Sequence, residues 1–239
     1  MNTKTNKKTF YYFSAVLGLS FCLNTFAQTK PKLSLIGEST VATYSSGAKQ
    51  GWGKYISSHF VSGSISVQNF AMGGRSSKTF YNESAWDRAL GSKATYLFVQ
   101  FGHNDSPKGK PESTNPSSDF KSYLRRYVNE SRNAKMSPVF VSPPHRARFS
   151  SNGVPSTELG PYASAMEEVA KDLNVPFIDL YKITGNRYKS WGKAKTLSYF
   201  AKNDTSHFNE TGAKVIAQLV ANEAGRVIPA LNAHLKDSN

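Results

Sequence analysis

The chain has 239 residues, with 30 Lys and Arg against 16 Asp and Glu, a formal charge of +14 at pH 7. That length suits one domain with a core of its own. The single cysteine, Cys22, lies near the N-terminus, so the body of the chain has no internal disulfide and no cysteine nucleophile.

The first 27 residues read as a secretory signal. Lys4, Lys7 and Lys8 form a basic start, Phe10 to Phe26 carries no charge, and small Ala27 stands at the cut. The stretch is too short and wrongly flanked for a membrane span, and an uncleaved anchor is the alternative. Bulky Phe21 before Cys22 argues against lipidation there. Cleavage near Gln28 leaves residues 28–239 as one exported domain, and loss of three lysines takes the charge from +14 to +11. A basic surface attracts polyanions by field. Nucleic acid and acidic polysaccharide are both candidates, and export favours the polysaccharide; a merely solvated surface is the plain alternative.

Short apolar runs bounded by Gly or Pro then alternate with amphipathic segments. Leu33–Ile36 ends in Gly37, Ser64–Phe70 alternates, and Tyr96–Phe101 ends in Gly102. Pro138–Ser142 ends in Pro143-Pro144, and Pro176–Leu180 holds Phe177-Ile178. Such runs read as strands buried on both faces. Helical spacing of apolar residues marks 119–132, 160–173 and 210–228, with Pro229 ending or kinking the last. The 181–203 segment, rich in Lys and Tyr and holding Trp191, reads as a loop without an assigned role. The alternation predicts an α/β fold in three α/β/α layers around a central, mostly parallel five-stranded sheet. Ligands bind at the carboxyl ends of such strands. Glu38-Ser39, Gly73-Gly74-Arg75-Ser76 and Gly102-His103-Asn104-Asp105 follow the first three runs, which places all of them on one rim.

Ser39 at a strand-to-helix turn can project its Oγ from that rim beside free backbone N–H groups. Serine is common in turns, and from position alone an ordinary turn serine is the plainer reading. Of the five histidines, His59 and His234 read as surface residues. His207, three residues after Asp204, can present Nε2 to Ser39 while the carboxylate fixes its tautomer. Alternatively, Asp204 or Asn209 caps the last helix. Asn104 and Gly74 can donate N–H groups to an oxyanion, or can simply be turn residues. His103, Asp105, Asp204 and His207 could form an N/O metal site, but the chain has no His-x-x-x-His and no cysteine pair, so no metal is expected.

Four blocks together carry a resemblance. Gly37-Glu38-Ser39-Thr40 followed by Gly51-Trp52-Gly53, Asn69 to Ser77, Gly102 to Asp105, and Asp204 to Ala213 stand in order along the chain. This pattern resembles the SGNH (GDSL-like) hydrolases, flavodoxin-like in architecture, and within them the rhamnogalacturonan acetylesterase-like carbohydrate esterases. The resemblance implies a Ser39–His207–Asp204 triad. It also implies an oxyanion hole of Ser39, Gly74 and Asn104, an acyl-enzyme, and no cofactor. Glu38 stands where that family has aspartate, and Ser206 where threonine is usual. The implied substrate is an acetylated, acidic wall polysaccharide handled by a secreted or periplasmic monomer that engages neither nucleic acid nor membrane. Arg75, His103, Arg146 and Arg148 are the expected substrate contacts; the arginines could instead pair with Glu38 or Asp105. Trp52, Tyr81 and Trp191 could stack on sugars, with Trp52 expected in the core. Acetyl xylan esterase, lipase or thioesterase, and a non-catalytic polysaccharide binder are the alternatives.

Overall fold

The computed structural model describes Met1 and residues 30–236. The expected signal segment and Cys22 lie outside these residues. Five parallel strands form one sheet: β1 (Lys32–Gly37), β2 (Ser66–Asn69), β3 (Tyr96–Gln100), β4 (Ser137–Val141) and β5 (Phe177–Ile178), in the order β2-β1-β3-β4-β5. The expected architecture is therefore present. The order reverses between β1 and β3, and a crevice opens there beyond the strand ends.

Period-two alternation divides the strand residues between two cores. Leu33, Leu35, Phe98, Val139 and Val141 pack on one face with α6 (Glu210–Val227), through Ile216, Ala217 and Val220. Ile36, Leu97, Val99 and Phe140 pack on the other. Their partners there come from α1 (Ser77–Tyr81), α2 (Ser84–Gly91), α3 (Asp119–Asn133) and α4 (Gly160–Leu173). Because both faces are covered, the inner strands β1, β3 and β4 are largely apolar, while β2 at the sheet edge, Ser66-Val67-Gln68-Asn69, is mostly polar.

The 181–203 segment is not a loop. It is mostly α5 (Leu180–Leu197), with a break at Gly192, whose φ is 72°. Its buried positions, Leu180, Thr184, Tyr188 and Thr196, keep a four-residue spacing up to the break. Threonine and tyrosine carry that stripe where aliphatic residues would have announced it. Pro229 follows the end of α6 and opens a 3-10 turn, Pro229–His234. His59 and His234 are half-buried rather than on the surface, joined through the Phe60–Leu235 bridge. No helix among the described residues is long and apolar enough to cross a membrane.

Candidate active site

Beyond β1 the chain makes a tight turn in which the Glu38 carbonyl accepts the N–H groups of Val41 and Ala42. Ser39 sits on this turn, 8 % exposed. The Gly51-Trp52-Gly53 stretch lies directly against it, with Gly51 N–H donating to Ala42 O and Trp52 N–H to Thr40 O. A Cβ on Gly51 would lie 2.3 Å from Ala42 O, so only glycine allows this approach. Trp52 is fully buried, as expected, and takes no part in a sugar site.

The loop after α5 brings His207 to Ser39. Asp204 Oδ1 accepts the N–H groups of Ser206 (2.7 Å) and His207 (3.1 Å). Asp204 Oδ2 lies 2.6 Å from His207 Nδ1, and His207 Nε2 lies 3.1 Å from Ser39 Oγ. Oδ2 is an acceptor, so Nδ1 carries the proton and Nε2 presents its lone pair to the Ser39 hydroxyl. Partial burial pushes the Asp204 carboxyl up, but the Ser206 N–H and the His207 ring outweigh it and hold the group below the usual carboxylate range. The helix cap is Asn209, whose Oδ1 accepts Gly212 N–H at 2.9 Å.

Glu38 is fully buried beneath the serine. Its Oε1 accepts Gln100 Nε2 and His103 N–H, both at 2.9 Å. Its Oε2 accepts Asn104 N–H at 2.9 Å and Asn104 Nδ2 at 3.0 Å. The Gln100 amide is oriented from behind, because its Oε1 accepts the Trp52 indole N–H and the Thr40 hydroxyl. Burial, and then the Asp105 charge, push the Glu38 carboxyl up to about 8, against the pull of the backbone donors and Arg146. Sequence reading missed Gln100 altogether. Its one signal is a polar residue closing an otherwise apolar strand.

Among the described residues, the N–H groups of Ser39 and Gly74 have no intramolecular acceptor. Asn104 Nδ2 is engaged, giving its second hydrogen to Arg75 O at 3.1 Å. Tyr44 was also missed: its hydroxyl faces Gly73 on this loop, and burial with the Glu38 charge raises its pKa.

The expected substrate contacts divide. His103 is 3 % exposed, its Nε2 lies 2.8 Å from Pro144 O, and burial lowers its pKa to about 3. It is a neutral strut under the site, out of reach of a sugar. Arg75 pairs with Glu83, while Arg146 and Arg148 share Glu158, so none of the three pairs with Glu38 or Asp105. The Arg146 side chain is 11 % exposed and Arg148 48 %, which leaves Arg148 the more open of the two. Asp105 is buried instead against Ser77 and Thr114, tying α1 to the loop after β3. Tyr81 bonds Glu130 and packs on Trp86, Tyr123 and Tyr127. A cleft of about 620 Å³ opens beside Asp105, lined by Ser106, Lys108, Asn115, Glu158 and Tyr162 among others. Among the described residues, no group of three His, Cys, Asp or Glu is disposed to hold a metal ion.

Residues 33–220 match the family model described as GDSL-like Lipase/Acylhydrolase. The chain is 38% identical over 195 residues to the probable rhamnogalacturonan acetylesterase YesY of Bacillus subtilis, covering 78% of this chain and 89% of that protein. It is 36% identical over 205 residues to the rhamnogalacturonan acetylesterase RhgT of the same organism, covering 78% and 86%. Among solved structures, the acetylxylan esterase Axe2 of Geobacillus stearothermophilus shares the fold with a TM-score of 0.65 at 17% identity, over 82% of this chain and 94% of that one.

Proposed function

The chain belongs to the GDSL-like lipase/acylhydrolase family and is a carbohydrate esterase, and on that footing we propose that it removes O-acetyl groups from rhamnogalacturonan through an acyl-enzyme on Ser39. The observation that carries this reading is the continuous relay from Asp204 through His207 to Ser39, with contacts of 2.6 and 3.1 Å.

In this mechanism His207 Nε2 takes the Ser39 proton as Oγ attacks the acetyl carbonyl. Asp204 holds the ring and stabilises the imidazolium that forms. The carbonyl oxygen, now an oxyanion, lies against the unpaired N–H groups of Ser39 and Gly74. Asn104 joins them by exchanging its bond to Arg75 O for one to the oxyanion. The imidazolium returns its proton to the departing sugar hydroxyl. Water, deprotonated by His207, then releases acetate and restores Ser39. Each step draws on side chains, the two backbone N–H groups and water.

Support for an acidic backbone is chemical. Galacturonate carries one carboxylate per residue, and the chain carries a large excess of Lys and Arg. Half-exposed Arg148 stands beside the triad loop, its Nε 3.3 Å from the Thr205 hydroxyl. The cleft beside Asp105 is lined by Glu158, the acid that Arg146 and Arg148 share, which puts those arginines at its edge. The basic, apolar N-terminal stretch supports export to where such polymers occur.

The test is acetate release from acetylated rhamnogalacturonan, acetylated xylan and a small aryl acetate, by wild type and Ser39→Ala. Wild type should prefer rhamnogalacturonan, and Ser39→Ala should fall by about 10⁴-fold or more on all three. Equal rates for the two proteins would remove Ser39 as nucleophile. Activity confined to xylan would remove the pectic substrate and leave the mechanism.

A further inference from the structure

The segment from Leu180 to Asn203 contains six cations, Lys182, Arg187, Lys189, Lys193, Lys195 and Lys202, and no Asp or Glu. All six are exposed. Among the described residues none of them is in an ion pair, whereas each of the other long helices pairs cations with acids, and the two unpaired arginines of α3 lie over the Tyr81 and Tyr123 rings (Arg126) or donate to the Leu173 carbonyl (Arg132). Lys121 and Arg125 of α3 pair with Glu168 and Asp172, Lys171 of α4 with Glu167, and Lys214 and Arg226 of α6 with Glu210 and Glu223. The acids flanking the segment are committed elsewhere. Asp179 Oδ1 caps α5 by accepting Lys182 N–H, and Asp204 holds His207.

Two of these cations are also ordered. Arg187 and Lys195 lie 5.7 and 5.9 Å from the centre of the Trp191 ring, and Tyr199 stacks on the same ring at 4.5 Å. Cation–π attraction gathers two like charges around one indole and reduces the side-chain entropy they would lose on binding an anion. The segment then runs straight into the triad loop, with Lys202 two residues before Asp204. It offers unpaired, partly pre-ordered positive charge contiguous with the place where the ester is cut.

We infer that the exposed face of α5 and the turn after it form an accessory binding surface for uronate-rich polysaccharide, holding the polymer by its carboxylates while an acetylated residue occupies the site. The choice of a uronate chain rests on the function proposed above; the existence of an anion surface does not. Substrate recognition is thus divided between the triad crevice, which reads the ester, and α5, which reads the charge of the backbone.

The probe is polygalacturonate without acetyl groups, on which the triad has nothing to cut. Binding is measured by affinity electrophoresis and titration calorimetry over a range of NaCl concentrations, with dextran and double-stranded DNA for comparison. The variant combines Lys189→Glu, Lys193→Glu and Lys195→Glu, all exposed and outside the catalytic constellation. Wild type should bind polygalacturonate, weaken with salt and ignore dextran. The variant should bind roughly ten-fold or more weakly, from the loss of three charge contacts and the repulsion that replaces them. On acetylated polymer the variant should raise KM with kcat kept, and on the aryl acetate it should match wild type. Undiminished polygalacturonate binding by the variant would overturn the inference, as would tighter binding of DNA through the same lysines. A protein that binds polygalacturonate through α5 and fails to deacetylate rhamnogalacturonan would sustain this surface and overturn the proposed substrate.

Discussion

The Glu38 carboxylate holds Asn104 at two points, accepting its backbone N–H at 2.9 Å and its side-chain Nδ2 at 3.0 Å on the same oxygen. The residue next to Ser39, the proposed nucleophile, thereby sets the orientation of a proposed oxyanion donor 66 positions away. The extra methylene of glutamate is accommodated because Gln100, His103 and Asn104 all present N–H groups to it. Glu38→Asp should therefore stay active on an aryl acetate, within about ten-fold of wild type, as expected when charged hydrogen bonds lengthen but persist. Glu38→Ala should lose about 100-fold in kcat/KM, the scale of one misplaced oxyanion donor. A Glu38→Ala enzyme as fast as wild type would show that Asn104 needs no such anchor.

Glu38 also gives the fold a pH dependence. Burial and then Asp105 raise its carboxyl to about 8 against the N–H donors that favour its charged form, so as pH falls the folded protein takes up this proton sooner than the unfolded chain, whose carboxyl titrates near 4.5. Stability from this group is fully present below that lower value and is lost as pH rises through about 8. His103 acts in the opposite sense, since burial lowers its pKa to about 3, but its effect is complete above about pH 6.5. The melting temperature should accordingly fall from pH 6.5 to about 8 and level off beyond. Glu38→Gln, which cannot titrate, should flatten that slope. A melting temperature that climbs across this range, or a variant with the wild-type slope, would contradict the assignment.

Asp204 serves two functions through two oxygens. Oδ1 holds the loop by accepting Ser206 and His207 N–H, and Oδ2 fixes the His207 tautomer. Asp204→Asn can keep the Oδ1 contacts but places an N–H₂ group against Nδ1, which favours the wrong tautomer. The expected outcome is a fall in kcat of about 10³ to 10⁴-fold with little change in melting temperature. Asp204→Ala should lose the same activity and destabilise the loop as well. An asparagine variant with near-native kcat would separate Asp204 from the chemistry.

The sheet and the relay were legible because each leaves a local mark. Apolar runs such as YLFVQF, closed by glycine, announce strands buried on both faces, and Asp204-Thr205-Ser206-His207 sets an acid and a base at a spacing that one turn can join. The short helices α1 and α2 gave no such mark, being five and eight residues long and framed by polar turns. The helix α5 was hidden because Thr184, Tyr188 and Thr196 carry its buried stripe. The partners of the rim arginines were out of reach for another reason. Glu83 is close to Arg75 in sequence, but Glu158 meets Arg146 and Arg148 only through the path of the loop before α4. Charge alone cannot tell an arginine that awaits a sugar carboxylate from one already satisfied by glutamate.

Tyr44 and Gly73 yield a reciprocal test of the proposed oxyanion loop. A Cβ placed on Gly73 would lie 2.8 Å from the Tyr44 hydroxyl and 3.8 Å from Ser39 Cβ. The first distance is a clash, the second an ordinary contact, so the tyrosine is what forbids a side chain at this position. Gly73→Ala must displace either the Tyr44 ring or the loop that carries the Gly74 N–H. A shift of the loop should lower kcat/KM on an aryl acetate by roughly ten-fold or more, since oxyanion donors act only at close range. Removing the hydroxyl relieves the conflict at its source. Tyr44→Phe combined with Gly73→Ala should therefore recover most of the loss, and Tyr44→Phe alone should change the small-substrate rate little. A double variant no better than Gly73→Ala would mean that the Tyr44 hydroxyl is not what excludes a side chain at this position.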